Sequence, residues 1–232
     1  METAAVAFLI ICYCAASYLA WQQRSPIYVF AMASGHLSAL ASPLWNVLYG
    51  VSYGVSVSSV RVVITQPTPL SLLLAAGWHY PLPAMLVLYL YLIRWWFPGR
   101  VTGVLTYLIF LLYHLLIELL GLRAGLWSYR EIALPLGLPS SLFAAIMAGL
   151  ISYATMYVLL STYRYAWQSM AMAIIPSVLL ISLLTHGLLG APLWIALALN
   201  GASWAVGLGT LSALALLFWA IQIITSGIRR VE

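Results

Sequence analysis

The chain has 232 residues, of which 65% are hydrophobic and 6% are charged, and its net charge is +5. This composition, with several apolar runs long enough to cross a bilayer, excludes a water-soluble domain and predicts a polytopic membrane protein. All basic residues are arginines in short connections, which is typical of membrane topology and not of nucleic-acid binding, and the lack of lysine excludes a retinal Schiff base.

The apolar runs predict an all-α fold of about seven transmembrane helices in one bundle, with residues 1–232 forming a single domain. The predicted helices cover residues 4–21, 28–53, 70–94, 101–122, 141–163, 169–189 and 193–225. The first run follows Met1 and Glu2 without any basic residue, so we expect a retained span and not a cleaved signal.

The second and third predicted helices both carry polar residues. The second has a stripe of small residues at helical spacing with Asn46 at its polar centre. Residues 54–69 are rich in Val, Ser and Thr and predict an interfacial, strand-like connection. In the third helix, Pro81 and Pro83 should break the backbone beside His79. Broken backbone at membrane depth occurs where it lines a cavity, so His79 is expected to face an interior.

The fourth predicted helix contains Glu118, the only acidic residue inside an apolar run. An ionised carboxylate there costs several kcal/mol, so Glu118 should either keep its proton or be paired. His114 lies four residues earlier on the same helical face and is the expected partner. Structural and functional roles are both open for this pair, and intramembrane ionisable groups favour the functional one.

The remaining polar residues come from the second half of the chain. Residues 123–140, with Trp127 and Tyr129, should leave the membrane as an interfacial lid. The sixth helix presents His186, and the last helix carries Asn200 and Trp204 on a small and polar stripe.

Alternating helix directions predict that these polar side chains meet. The residues expected near one membrane face are Asn46, His79, Glu118, His186 and Asn200, with His114 about one turn deeper. Side chains from five helices at a common depth predict one pocket just under that face.

A protonated carboxylic acid in a dry cavity lined by Trp and Tyr is able to protonate an alkene or an epoxide. The aromatic faces would stabilise the resulting carbocation, and His114 would set the proton state of Glu118 or recover the proton. Three histidines with Glu118 would also match zinc or iron, and His79 with His186 would suit a haem. Metal-binding spacings such as His-x-x-x-His are missing, so we predict neither a metal nor a cofactor.

Two motifs resemble the signature helices of the integral-membrane terpene cyclases of meroterpenoid and indole-diterpene pathways. They are residues 45–53, with Trp45 and Tyr49, and residues 194–204, ending at Trp204. The resemblance implies about seven spans and a cyclase that protonates an isoprenoid. The two acidic residues of that family correspond here to Asn46 and Asn200, which leaves Glu118 as the only intramembrane acid.

A second resemblance is to the membrane-bound carotenoid hydratases. It rests on residues 118–125 followed by Tyr129, and on residues 190–192 with Asn200 and Trp204. The aspartates of that family's penultimate helix are replaced here by Thr185 and His186. Both resemblances imply an isoprenoid substrate inside the bilayer.

Together these patterns predict a membrane enzyme with Glu118 as the acid and His114 as its partner. The expected substrate-binding residues are Asn46, His79, His186, Asn200, Trp45, Tyr49, Trp127 and Trp204. A non-catalytic, haem-binding or metal-binding subunit of a larger membrane complex, and a small transporter, are the alternatives. The expected partners are a hydrophobic small molecule or lipid and the bilayer, with a homo-oligomer or other membrane proteins as further partners.

The arginines also predict an orientation. With the N-terminus outside and the C-terminus in the cytoplasm, the cytoplasmic connections carry more arginines than the outer ones. The cytoplasmic set would be Arg24, Arg94, Arg100, Arg164, Arg229 and Arg230, and the outer set Arg61, Arg123 and Arg130.

Overall fold

The computed structural model describes residues 2–53, 59–60, 68–129, 138–199 and 203–228. The helices are α1 (Glu2–Gln23), α2 (Ile27–Ala39), α3 (Ser42–Leu48), α4 (Leu70–His79), α5 (Pro81–Leu92), α6 (Arg100–Arg123), α7 (Ser140–Thr162), α8 (Trp167–Ile174), α9 (Ser177–Ser182), a π-helical segment (Leu183–Leu189), α10 (Ala191–Ala198) and α11 (Ser203–Ile228). Six helical segments in this part of the chain are long and apolar enough to cross a membrane, and α2 with α3, bent by 46°, makes a seventh when counted as one span.

Helix α7 lies at the centre of the packing and contacts α5, α6, α8, α9 and α11. Two polar contacts tie it to its neighbours. The hydroxyl groups of Tyr153 and Thr225 lie 3.0 Å apart, and His114 Nε2 lies 2.7 Å from Ser152 Oγ. Both contacts are buried, which satisfies hydroxyl groups that would otherwise be costly in an apolar interior.

The second predicted helix is not continuous, and its predicted range of 28–53 is wrong. Helix α2 ends at Ala39, and α3 begins at Ser42 with Pro43 in its first turn. A proline has no backbone N–H to continue the helix and its ring clashes with the preceding turn, which explains the bend. Gly50 then takes a φ of 64° and ends α3, so the chain leaves it as a strand.

Two short antiparallel ribbons lie between the helices. Strand β1 (Val51–Tyr53) pairs with β4 (Trp127–Tyr129) in the register Val51↔Tyr129 and Tyr53↔Trp127. Strand β2 (Ser59–Val60) pairs with β3 (Thr68–Pro69). The strand-like character expected of residues 54–69 is thus confirmed for the described part of that connection. The β1–β4 pair, called the ribbon below, joins the connection after α3 to the one after α6.

Two further helix breaks separate α4 from α5 and α10 from α11. The predicted break beside His79 is confirmed, since α4 ends at that residue and α5 begins at Pro81. The predicted last helix, residues 193–225, is wrong because α10 ends at Ala198 and α11 begins at Ser203. Helix α10 packs alongside α11, where Gly209 leaves room for the carbonyl group of Pro192.

Candidate functional site

A cavity of about 610 Å³ lies among α3, α4, α6, α7, the π-helical segment and α10, and the ribbon forms part of its wall. This volume falls within the range of roughly 300–1,000 Å³ that is usual for small-molecule sites. The sequence-predicted site residues that line it are Trp45, Asn46, Tyr49, His79, Glu118, Trp127 and His186. The structure therefore brings most of them together, although they come from five separate regions of the chain.

Glu118 is partly buried in the cavity wall, and one carboxyl oxygen is held by the ribbon. Trp127 Nε1 donates to Glu118 Oε2 at 3.0 Å, and the hydroxyl of Tyr129 donates to the same atom at 2.6 Å. Oε1 accepts no hydrogen bond from the described residues. Two donors on Oε2 fix the rotation of the carboxyl group of Glu118, which lines the cavity.

His114 does not pair with Glu118 as expected. Its Nε2 bonds to Ser152 on α7, and its Nδ1 is buried without a hydrogen-bond partner among the described residues. The side chain is fully buried, and Glu118 takes its hydrogen bonds from the ribbon instead. His114 and Glu118 share a face of α6 but lie one turn apart along it. His114 therefore meets α7, and Glu118 meets the ribbon.

His79 connects the buried His114 to the cavity. The two imidazole rings lie 4.6 Å apart at an angle of 71°, in an edge-to-face arrangement. His79 lines the cavity and makes no hydrogen bond to another described residue. Its position at the end of α4, next to the break at Tyr80, leaves its ring nitrogens available to a molecule in the cavity.

Asn46 and Tyr53 bind the ribbon to α3. The Tyr53 hydroxyl donates to Asn46 Oδ1 at 2.9 Å. Burial raises the pKa of Tyr53 to about 12, opposed by the Asn46 hydrogen bond and assisted by the charge of Glu118. Burial and then Glu118 raise the pKa of Tyr129 well above its usual value. Both phenols therefore remain neutral hydrogen-bond donors at neutral pH.

Trp45, Tyr49 and His186 form a second polar cluster in the wall. The Trp45 and His186 rings stack at 5.1 Å and 16°, and Trp45 Nε1 donates to Ser182 Oγ at 3.1 Å. The Tyr49 hydroxyl donates to the His186 backbone carbonyl at 2.7 Å. Because the π-helical segment departs from regular α-helical bonding, Tyr49 provides this carbonyl with a partner.

One expected site residue, Trp204, lies outside the described cavity lining, and another, Asn200, is not described. Trp204 lies at the start of α11 with 70% of its surface exposed, outside the cavity lining. The predicted range 193–225 placed Trp204 inside a helix, whereas α11 begins at Ser203, so this ring lies at the exposed first turn of α11. Asn200 lies outside the described residues.

The sequence prediction missed several aromatic residues of the wall. The missed lining residues are Tyr53, Trp78, Tyr80, Tyr129 and Phe143, which lie beside the predicted Trp45, Tyr49 and Trp127. A signal for the ribbon was present, since residues 51–53 and 127–129 both end in Ser-Tyr. Side chains alternate along a strand, so the aromatic residues share one face and Ser52 and Ser128 the other. The two serine hydroxyl groups lie 2.8 Å apart and are exposed.

Metal binding has no support from the described part of the chain. No group of three or more His, Cys, Asp or Glu side chains there lies close enough to hold an ion. His79 and His114 adjoin each other, while His186 belongs to the Trp45 cluster.

Comparisons with protein-family models, with curated proteins and with solved structures find no match to this chain. The similarities to terpene cyclases and carotenoid hydratases stay predictions based on short motifs.

Proposed function

We propose that this chain is a membrane-embedded enzyme that protonates an isoprenoid or a related lipid and so starts a cyclisation or a hydration. The observation that carries the proposal is the carboxyl of Glu118, which lines the cavity and is held by Trp127 and Tyr129 through Oε2. An acid fixed in this way needs no reorganisation when it transfers its proton.

The proposed step is a proton transfer from oxygen to carbon. The O–H bond of Glu118 breaks, a C–H bond forms at one alkene carbon, and the neighbouring carbon becomes a cation. A second double bond of the substrate, or a water molecule, then supplies electrons to that cation, and the Glu118 carboxylate takes up the proton that is released, which restores the acid. The aromatic wall stabilises the positive charge in between.

The other cavity residues hold the substrate or the water. His79, Asn46 and His186 bring polar side chains to the cavity lining, and His79 makes no hydrogen bond to another described residue. Trp45, Tyr49 and Trp127 supply flat apolar faces, which are suited to the hydrocarbon chain of a lipid. We place the protein across the cell membrane, with the N-terminus outside and the C-terminus in the cytoplasm, on the distribution of arginines.

The test compares wild type with Glu118→Gln in lipid nanodiscs, incubated with an isoprenoid extract in D2O. The amide oxygen of glutamine accepts the same two hydrogen bonds, so the variant should fold. We expect wild type to yield a product with one deuterium bound to carbon, and Glu118→Gln to yield none. Glu2→Gln, the same change at the start of α1, is the matched control and should behave as wild type.

Mass spectrometry of the products and of the co-purifying lipids provides the readout. Identical lipids and identical deuterium content in wild type and Glu118→Gln would overturn the proposal. A Soret band or stoichiometric metal in the purified protein would favour a cofactor-binding subunit, and solute uptake by proteoliposomes would favour a transporter.

A further inference from the structure

The cavity wall combines one acidic side chain with many aromatic rings. Glu118 is the only residue of the described lining with a formal charge when the histidines are neutral, and no arginine is present there. A carboxylate in a mostly apolar site interacts more strongly with an opposite charge than it would in water. The negative charge of ionised Glu118 therefore favours the binding of cations in the cavity and disfavours the binding of anions.

The rings around Glu118 come from two directions. On one side, Trp127 and Tyr129 reach the carboxyl with their polar edges, and Tyr53 is paired with Trp127 across the ribbon. On the other, Tyr80 lines the cavity at the α4–α5 break, with its ring 4.8 Å from that of His79. The faces of aromatic rings attract cations, and aromatic cages bind quaternary ammonium groups that have no N–H to donate.

We infer that this cavity binds hydrophobic cations, namely tertiary or quaternary ammonium groups that carry a hydrocarbon tail. Glu118 supplies the counter-charge by giving up its proton when the cation binds, the aromatic rings contact the alkyl groups on nitrogen, and the apolar wall receives the tail. The inference goes beyond the proposed function because binding a cation requires no proton transfer. Where the proposed function also holds, the ammonium group mimics the carbocation beside the newly formed carboxylate and acts as an inhibitor.

The probe is trimethyl(3-phenylpropyl)ammonium, and its control is the neutral isostere in which carbon replaces nitrogen. The two molecules have the same shape and differ in charge. Binding to protein in nanodiscs is followed by tryptophan fluorescence, with empty nanodiscs subtracted. We expect the ammonium probe to bind at least about tenfold more tightly than the isostere, a difference of about 1.4 kcal/mol.

Three variants assign this preference to named groups. Glu118→Gln should bind both probes equally, because the amide keeps the shape and loses the charge. Tyr80→Leu should lower the affinity for the ammonium probe severalfold. Tyr80→Phe keeps the ring and removes only the hydroxyl, so it should bind the probe as tightly as wild type. Equal affinities for the two probes in wild type, or a preference that survives in Glu118→Gln, would overturn the inference.

The outcome is separable from that of the proposed function. A Glu118-dependent ammonium preference without deuterium incorporation supports the cation site and contradicts the enzyme. Deuterium incorporation without any ammonium preference supports the enzyme and contradicts the cation site.

Discussion

The carboxyl of Glu118 owes its orientation to side chains outside the helix that carries it. Trp127 and Tyr129 both reach Oε2 from the ribbon, and the ring of Trp127 lies directly over Gly121. A Cβ atom at Gly121 would fall within 2.1 Å of the Trp127 ring. Gly121 thus allows Trp127 to pack close to α6 and to donate a hydrogen bond to Glu118, which lies one turn before Gly121 in the helix.

We expect Gly121→Ala to push Trp127 away from Glu118. Overpacking of this kind costs about 1–3 kcal/mol, and it removes a hydrogen bond from the carboxyl. Gly187→Ala is the control, because its Cβ would meet the Trp45 ring at an ordinary 3.6 Å. Thermal unfolding and tryptophan emission are the measurements. Equal behaviour of the two variants would contradict the role given to Gly121.

His114 is expected to stabilise the contact between α6 and α7. Ser152→Ala removes the partner of Nε2, and leaving a buried polar atom unsatisfied costs about 1–3 kcal/mol. Ser161→Ala is the control, since that hydroxyl bonds only to the Tyr157 carbonyl of its own helix. If Ser152→Ala instead abolished deuterium incorporation with unchanged thermal unfolding, His114 would belong to the proton path.

The sequence indicated Glu118 as a candidate site residue, but it did not indicate the residues that hydrogen-bond to it. Glu118 is recognisable because no other carboxyl lies in an apolar run. His114 was assigned to it by helical spacing, which describes neighbours on one helix only. Trp127 and Tyr129 become partners through the pairing of β1 with β4, which depends on a contact between distant parts of the chain.

The ribbon is the element that closes the cavity over Glu118. Gly50 lies two residues after the end of α3, and Gly125 lies two residues after the end of α6; their φ angles are 64° and 65°. Glycine adopts this left-handed conformation readily, so both helices stop there and release a strand. The two strands are short, and their pairing leaves Ser52 and Ser128 opposite each other on the exposed face.

A disulfide across the ribbon should slow the exchange of a bound molecule. Ser52→Cys with Ser128→Cys places two thiols at paired positions, in a background where Cys12 and Cys14 are alanine. We expect release of the ammonium probe to be slower in the oxidised protein and to recover with dithiothreitol. Each single cysteine variant is the control. Unchanged release after complete oxidation would show that molecules leave the cavity by another route.

Tyr53 should make the protein sensitive to alkali. Its pKa is raised to about 12 from 10.0 in the unfolded chain, so its contribution to stability is complete below pH 10. That contribution is lost as the pH rises from 10 through about 12. Tyr53→Phe should therefore lose less stability than wild type over this range, as measured by unfolding at several pH values. A parallel decline in both proteins would contradict the burial of this phenol.

Helix positions were easier to predict than helix interruptions. The break beside His79 could be predicted because Pro81 and Pro83 remove backbone donors. The break between α10 and α11 was missed because residues 193–225 are apolar almost throughout, although Asn200-Gly201 is a turn signal. The π-helical segment has no proline or glycine at its start, and its backbone carbonyl at His186 is satisfied by Tyr49 from another helix.

The number of spans determines where the two termini lie. If α2 and α3 together cross the membrane, the chain has seven spans and its termini are on opposite sides; six spans would put them on the same side. We expect an N-terminal tag to be digested by external protease in intact cells and a C-terminal tag to be protected. Protection of both tags would contradict the seven-span arrangement, and the reverse pattern would contradict the orientation from arginines.

The helices around the cavity are of two kinds, continuous and interrupted. Helices α6, α7 and α11 run uninterrupted and pack on one another, whereas the α2–α3 and α4–α5 breaks lie beside the cavity, where Ser42, His79 and Tyr80 line it. Glu118 therefore lies on an uninterrupted helix, and interrupted helices line other parts of the cavity. We expect the cavity to widen by bending at these breaks while Glu118 stays in place, which would allow it to accommodate bound molecules of several lengths.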